Sequence, residues 1–142
     1  MLSTKFIKSQ LPCLRSFSTD QGYKSYARFI HLRDDPEKIA AYKHYHQNCF
    51  PEVLTSLHTV GIRKMQMYHI GLKVFMYYEA LPEFNPEVDF PRVMELSPRC
   101  VEWVHIMGDL LEPAPEGKLW AWCDMDEVYS FQDQYDKFIL KK

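Results

Sequence analysis

The chain has 142 residues with 46% hydrophobic and 15% aromatic content, which is enough for one packed domain and too short for two. Its formal net charge of −2 argues against a nucleic-acid-binding surface, because phosphate binding requires clustered Lys and Arg. No apolar run approaches the roughly 18–20 residues that cross a bilayer, so we expect neither a membrane span nor a membrane partner.

The first segment differs in composition from the rest of the chain. Met1 to Thr19 carries three basic residues, four serines and no acidic residue. A basic, serine-bearing, acid-free leader is typical of a transit peptide, and a disordered tail explains the same composition. We therefore expect residues 1–22 to be a flexible leader or transit peptide and residues 23–142 to form a single domain. This predicts a soluble intracellular protein, cytoplasmic or, if the leader is a transit peptide, mitochondrial.

The predicted domain begins with a strand at Ser25–Leu32, where successive side chains alternate between two faces. Asp34-Asp35-Pro36 then predicts a turn and a helix start, and apolar residues at steps of three and four carry that helix to about Val60. Pro51 should kink or restart the helix because proline removes a backbone donor. Gly61 is suited to end it.

A hairpin follows, with strands predicted at Ile62–His69 and Leu72–Glu79 and Gly71 in the short connection. The next stretch, from Leu81 to Phe90, is rich in proline and predicts a loop or a fragmented helix.

Ser97-Pro98 provides a cap and first turn for a second long helix that runs to about Leu111. The apolar residues of Asp126–Phe131 predict a final strand, and the tail from Gln132 to Lys142 predicts a short helix. The order of elements is therefore strand, helix, strand, strand, helix, strand.

This order is the ferredoxin-like βαββαβ pattern of the α+β class. Its antiparallel sheet carries helices on one face, so the other face needs a cover. A second copy of the chain is the simplest cover, and two sheets that face each other enclose a barrel. We therefore predict a homodimer built as a dimeric α+β barrel.

Tyr42 and His46 are four residues apart on a helical stripe that is otherwise apolar. A phenol can hold a substrate hydroxyl, and an imidazole can pass protons at neutral pH. A histidine in such a position is either a hydrogen-bonded core group or a proton carrier, and the spacing does not separate these two interpretations.

The histidines and cysteines of the chain do not have the spacing of a metal site. His44 and His46 point to different faces of a helix, and no third ligand follows at a suitable distance. The four cysteines lack CxxC spacing, which is typical of reduced thiols. We predict neither a metal nor a cofactor.

A tryptophan on the second helix, Trp103, fits either a core position or a platform for the apolar face of a sugar ring. With it, the chain from about Tyr26 to Phe131 resembles the L-rhamnose mutarotase family. The resemblance rests on five landmarks in order: Tyr42-x-x-x-His46, Phe50-Pro51-Glu52, Met67-Tyr68, Cys100-x-x-Trp103 and Glu127-Val-Tyr. It implies a dimeric α+β barrel and cofactor-free interconversion of the α and β anomers of L-rhamnose.

The resemblance also implies roles for individual residues. His46 matches the proton donor of the family, Tyr42 matches a substrate-binding tyrosine, and Trp103 matches the first residue of a Trp-Trp pair that contacts the sugar. The implied partner is thus a small monosaccharide.

Two positions depart from the family pattern. Val104 stands where the family has the second tryptophan of the pair, and Met65 stands where it has a sugar-binding tyrosine in the second strand. Tyr68, nearby on the same strand, is a candidate substitute for that tyrosine. The identity of the monosaccharide therefore stays open.

Two other functions also stay open. Dimeric barrels of this type resemble small cofactor-free monooxygenases and lactone isomerases, which would act on a flat aromatic or lactone substrate. A non-catalytic binding or stress-associated dimer is favoured by the replaced aromatics at Val104 and Met65.

Overall fold

The computed structural model describes residues 22–118 and 120–141, so the predicted leader lies outside the described residues apart from Gly22. Along the chain the elements are β1 (Lys24–His31), α1 (Pro36–Gln47), α2 (Pro51–Val60), β2 (Ile62–Ile70), β3 (Lys73–Ala80), α3 (Pro86–Leu96), α4 (Pro98–Leu110), β4 (Cys123–Met125) and α5 (Phe131–Tyr135), which continues as a π-helical turn at Asp136–Leu140. In this part of the chain, no helix is both long and apolar enough to span a membrane.

The four strands form one antiparallel sheet in the order β2-β3-β1-β4. Every second side chain of the central strands points to one face, where Ile30, Val74 and Tyr78 are almost fully buried. Residues of α1 to α4 pack against this face and complete the hydrophobic core. The predicted α+β architecture, with an antiparallel sheet and helices on one face, is confirmed.

The starts of the helices follow from local chemistry. The Asp35 side chain accepts hydrogen bonds from the backbone amides of Glu37 and Lys38, and Pro36 occupies the first turn of α1. Pro51 restarts the helical path as the first residue of α2, as predicted. Gly61 ends α2 at a φ of +120°, a conformation that a side chain would strain.

Helix α3 corrects part of the prediction of a loop or fragmented helix between Leu81 and Phe90: residues 81–85 are non-helical as predicted, whereas a helix begins at Pro86. The Asn85 side chain caps the first turn of α3 by accepting from the backbone amide of Glu87. The Asp89 carboxylate accepts from the backbone amide of Asn85 in return. Phe84 and Val93 are buried in the core on either side of this turn. Tertiary packing and the cap therefore outweigh the low helix propensity of a proline-rich stretch.

The last strand was also predicted in the wrong place. It lies at Cys123–Met125 and pairs with Phe29–Ala27 of β1. In the predicted segment, residues 126–130 are irregular, Val128 is 95% exposed, and Phe131 begins α5. Apolar residues in that segment alternate as in a strand, but among the residues that the structure describes they have no neighbouring strand to pair with. The tail forms the predicted short helix, α5.

The sheet face opposite the helices carries a row of apolar side chains. Within the described residues no element packs over them, and the most exposed is Ile70 at 79%. The row comprises Phe29, Tyr68, Ile70, Phe75, Tyr77 and Met125, which we call the outer face.

Candidate functional site

A cavity of about 140 Å³ lies between the inner face of the sheet and the helices. It is smaller than the roughly 300–1,000 Å³ of pockets for drug-sized ligands, so it suits one small molecule. Polar groups reach it from Arg28, Tyr42 and His46. Its walls are otherwise mainly apolar and include five methionines, whose flexible side chains adapt to a ligand: Met65, Met67, Met76, Met94 and Met107.

A second hollow, a groove of about 490 Å³ along α2 and β2, adjoins this cavity. His46 and Trp103 line both the groove and the cavity. The two side chains therefore stand where the inner cavity meets the route to solvent.

Tyr42 and His46 share one face of α1, as the spacing predicted. Their ring centroids are 4.2 Å apart with planes tilted by 34°. Tyr42 is buried, whereas His46 is half-buried and reaches the cavity. A phenol and an imidazole are thus presented together to whatever occupies the cavity.

The hydrogen bond of His46 fixes its tautomer. Nδ1 lies 2.9 Å from the carbonyl oxygen of Tyr42, and because a carbonyl can only accept, Nδ1 must donate the hydrogen. The neutral ring then carries its lone pair on Nε2, which has no hydrogen-bond partner among the described residues. Burial lowers the pKa of His46, and the bond to Tyr42 opposes this shift in part. His46 is therefore a neutral base at neutral pH.

The hydroxyl of Tyr42 is held weakly. It donates to the sulfur of Met67 at 3.5 Å, and a thioether is a poor acceptor. Burial raises the pKa of Tyr42, so the hydroxyl keeps its proton. A ligand oxygen that enters the cavity is a stronger acceptor than Met67, and the hydroxyl is available to donate to it.

Trp103 is positioned by the rings around it. Its centroid lies 5.2 Å from that of His46, 5.4 Å from that of Phe50 and 6.2 Å from that of Tyr45, all in edge-to-face contact. These contacts join α4 to α1 and to the start of α2. Trp103 is therefore a fixed apolar wall beside the imidazole.

The two positions that depart from the family pattern both reach this site, because Met65 and Val104 line the cavity. Tyr68 does not. It lies three residues beyond Met65 on β2, so alternation turns it to the outer face, where it is 58% exposed and faces Phe75. The structure thus brings together three predicted site residues, Tyr42, His46 and Trp103, and leaves Tyr68 outside.

Arg28 is the polar cavity residue that the motif analysis missed. It is 8% exposed, its Nε donates to the Asp124 carboxylate, and its guanidinium lies 5.3 Å from the centre of the Phe90 ring. The alternation of β1 contained a signal for it, since Arg28 shares the inner face with Ile30 and Leu32. A charge on a buried strand face requires a partner or a function.

No group of three or more His, Cys, Asp or Glu side chains within residues 22–118 and 120–141 is arranged to hold a metal ion. Besides the Cys100 thiol and the indoles of Trp103, Trp120 and Trp122, the described cavity offers a neutral imidazole, a phenol hydroxyl and a guanidinium.

Known proteins resemble this chain over most of its length. A sequence model described as L-rhamnose mutarotase matches residues 25–131. A UPF0734 protein of Dictyostelium discoideum is 42% identical over 111 residues, which cover 75% of this chain and 89% of that protein. The crystal structure of an L-rhamnose mutarotase from Formosa agariphila superposes with a TM-score of 0.57 at 16% identity, covering 75% of this chain and 97% of that one. At that identity, the superposition shows a shared fold.

Proposed function

Because this chain belongs to the L-rhamnose mutarotase family, we propose that it interconverts the α and β anomers of L-rhamnose or a closely related monosaccharide. The observation that carries the proposal is the state of His46: a neutral imidazole with Nδ1 tied to the Tyr42 carbonyl and Nε2 open, beside Trp103 in a small cavity. This is a positioned base with an apolar wall, as the reaction requires.

The proposed reaction moves one proton between two oxygens of the sugar. Nε2 of His46 takes the proton of the anomeric hydroxyl while the bond between C1 and the ring oxygen breaks, leaving an aldehyde. The imidazolium returns the proton to the ring oxygen. Rotation of the aldehyde and the reverse steps close the ring as the other anomer, with Tyr42 donating a hydrogen bond to a sugar oxygen. Because no electrons or groups leave the sugar, the reaction needs no cofactor.

The lining of the cavity supports a 6-deoxy sugar as substrate. L-Rhamnose carries a methyl group where most hexoses carry a hydroxymethyl group, and a methyl group is well matched to walls of methionine side chains. The edge or face of Trp103 would pack against the apolar side of the ring. Val104 and Met65 leave this lining less aromatic than the family pattern. The choice among related sugars is therefore what the exchange measurement has to decide.

The pH dependence of anomer exchange tests the proposal. Protonation of His46 removes the base, so activity falls on the acid side, and burial places this fall below the ordinary histidine pKa of 6.5. We expect saturation-transfer NMR of L-rhamnose to show protein-dependent exchange that is constant near neutral pH and declines only below 6.5. Absence of exchange would refute L-rhamnose as the substrate, and a decline centred above 6.5 would refute His46 as the buried base.

We also propose that the protein is a homodimer in which the outer face packs on the outer face of a second copy. The proposal is supported by the apolar character of that face and its lack of cover among the described residues. Exposed apolar patches of this kind are typical of interfaces.

A charge in the centre of the outer face tests the dimer. Phe75→Glu should weaken association by about 100-fold or more, because it buries an unpaired carboxylate if the dimer forms. Val88→Glu is the matched control, since Val88 is 59% exposed on α3 and lies away from this face. Analytical ultracentrifugation should give a dimer for wild type and Val88→Glu and a monomer for Phe75→Glu. A monomeric wild type would contradict the proposal.

A further inference from the structure

Arg28 lies at the end of the cavity floor opposite Tyr42. In the sheet, Met67 of β2 pairs with Met76 of β3, and Met76 pairs with Arg28 of β1. Directly paired residues share a face, and all three side chains line the cavity. Neighbouring strands are about 4.8 Å apart, so the Cα atoms of Arg28 and Met67 are about 10 Å apart along this row. Since the Tyr42 hydroxyl contacts Met67, the phenol and the guanidinium stand at opposite ends of the floor.

The guanidinium of Arg28 has N–H donors that its ion pair with Asp124 does not use. Asp124 accepts from Nε, and among the described residues neither Nη group has an acceptor. Arg28 lines the cavity and its side chain is 10% exposed. Among the described residues the buried side-chain polar atom without a partner is the Tyr78 hydroxyl, so the Nη atoms of Arg28 keep accessible surface. Its two Nη groups are therefore available to a molecule in the cavity.

The charges of Arg28 and Asp124 indicate which chemical group of a ligand fits beside the guanidinium. Asp124 balances the charge of Arg28 from outside the cavity, with a side chain that is 76% exposed. A carboxylate or phosphate on the ligand would meet this second negative charge. Neighbouring hydroxyl groups would accept from the planar fork of the guanidinium without that repulsion.

We propose that Arg28 is a specificity-determining residue that donates hydrogen bonds to the hydroxyl groups on C3 and C4 of the sugar. The inference rests on the proposed function: if His46 and Tyr42 engage the anomeric carbon and the ring oxygen, the atoms across the pyranose ring are C3 and C4. The hydrogen bonds hold the ring with its anomeric end at His46. Arg28 thus selects neutral sugars with an intact diol at those carbons.

Deoxy sugars test this assignment. The measured quantity is the ratio of kcat/KM for L-rhamnose over its 4-deoxy analogue, compared between wild type and Arg28→Met. Hydrogen bonds from a charged donor predict a wild-type ratio of about 10 to 100, which should fall at least about fivefold in Arg28→Met. The ratio for the 2-deoxy analogue, which lacks a hydroxyl next to the anomeric carbon, should be the same in both proteins.

The ratio is independent of the fraction of each protein that is folded, because both sugars meet the same active molecules. Arg28→Lys gives a second measurement: it keeps a charge but loses the planar fork, so its ratio should lie between those of wild type and Arg28→Met. An unchanged 4-deoxy ratio in either variant, with wild type active on L-rhamnose, would overturn the role of Arg28 and leave the mutarotase function standing. Absence of exchange by wild type would overturn both.

Discussion

Replacing His46 with alanine should lower the rate of anomer exchange by about 10²–10⁴-fold, the range that positioned general acid–base catalysis contributes. The imidazole is neutral, and its Nε2 is free to accept a proton. Its removal therefore takes away the proposed base beside the sugar. The fold should survive, because His46 is half-buried and its ring bond goes to a carbonyl that helix α1 satisfies independently. Saturation-transfer NMR gives the rate, and circular dichroism gives the folded fraction.

The matched control is His44→Ala. His44 lies two residues away on the same helix, is exposed, and does not line the cavity. This variant loses an imidazole at the same helix end but should keep the wild-type rate within about twofold. Equal rates in His46→Ala and wild type, or equal losses in both variants, would remove His46 from the mechanism.

Trp103→Ala should have the second largest effect, through both binding and stability. The indole packs edge-to-face with His46, Phe50 and Tyr45, so its loss frees the imidazole and opens the cavity toward the groove. We expect kcat/KM to fall by about 10- to 100-fold, mainly through KM, because an apolar wall contributes to placing the sugar. The free energy of unfolding should fall by up to about 3 kcal/mol, the low end for a tryptophan removed from a core, since Trp103 is half-buried.

Trp103→Phe separates these two losses. A phenylalanine ring keeps part of the contact with Phe50 and His46 and should recover most of the stability, measured by urea unfolding, while only part of kcat/KM returns. Val101→Ala, a truncation on the exposed side of α4, controls for changes in the helix itself. A Trp103→Ala variant that is destabilised but keeps its kcat/KM would show that the tryptophan serves the core alone.

Local rules predicted much of the fold. The alternation in β1 and β3, the proline and aspartate at the start of α1 and the glycine after α2 each act over a few residues, and each is found as expected. The errors lie where distant contacts decide. Helix α3 forms because Phe84 and Val93 enter the core, and β4 lies at Cys123–Met125 because β1 offers an edge there. Neither contact leaves a periodic trace in the sequence.

The site residues also divide into those that local spacing predicts and those that depend on distant contacts. Tyr42 and His46 are one helical turn apart, so their pairing could be predicted from spacing. The contact between His46 and Trp103 depends on how α4 crosses α1, and the sequence offered only the resemblance to a family for it. Tyr68 was misplaced although the period of two assigns it to the face opposite Met65. Arg28 was visible as a charge on an apolar strand face, but its position in the cavity requires the strand order of the sheet.

The most direct test of the central claim is anomer exchange by the wild-type protein, measured by saturation-transfer NMR in L-rhamnose, L-fucose and D-galactose at the same concentration. We predict that the protein accelerates exchange of L-rhamnose most strongly and D-galactose least, because the methionine-lined cavity favours a methyl group over a hydroxymethyl group. Exchange of none of the three sugars above the buffer rate would contradict the assignment as a mutarotase and favour a non-catalytic binding protein of this fold.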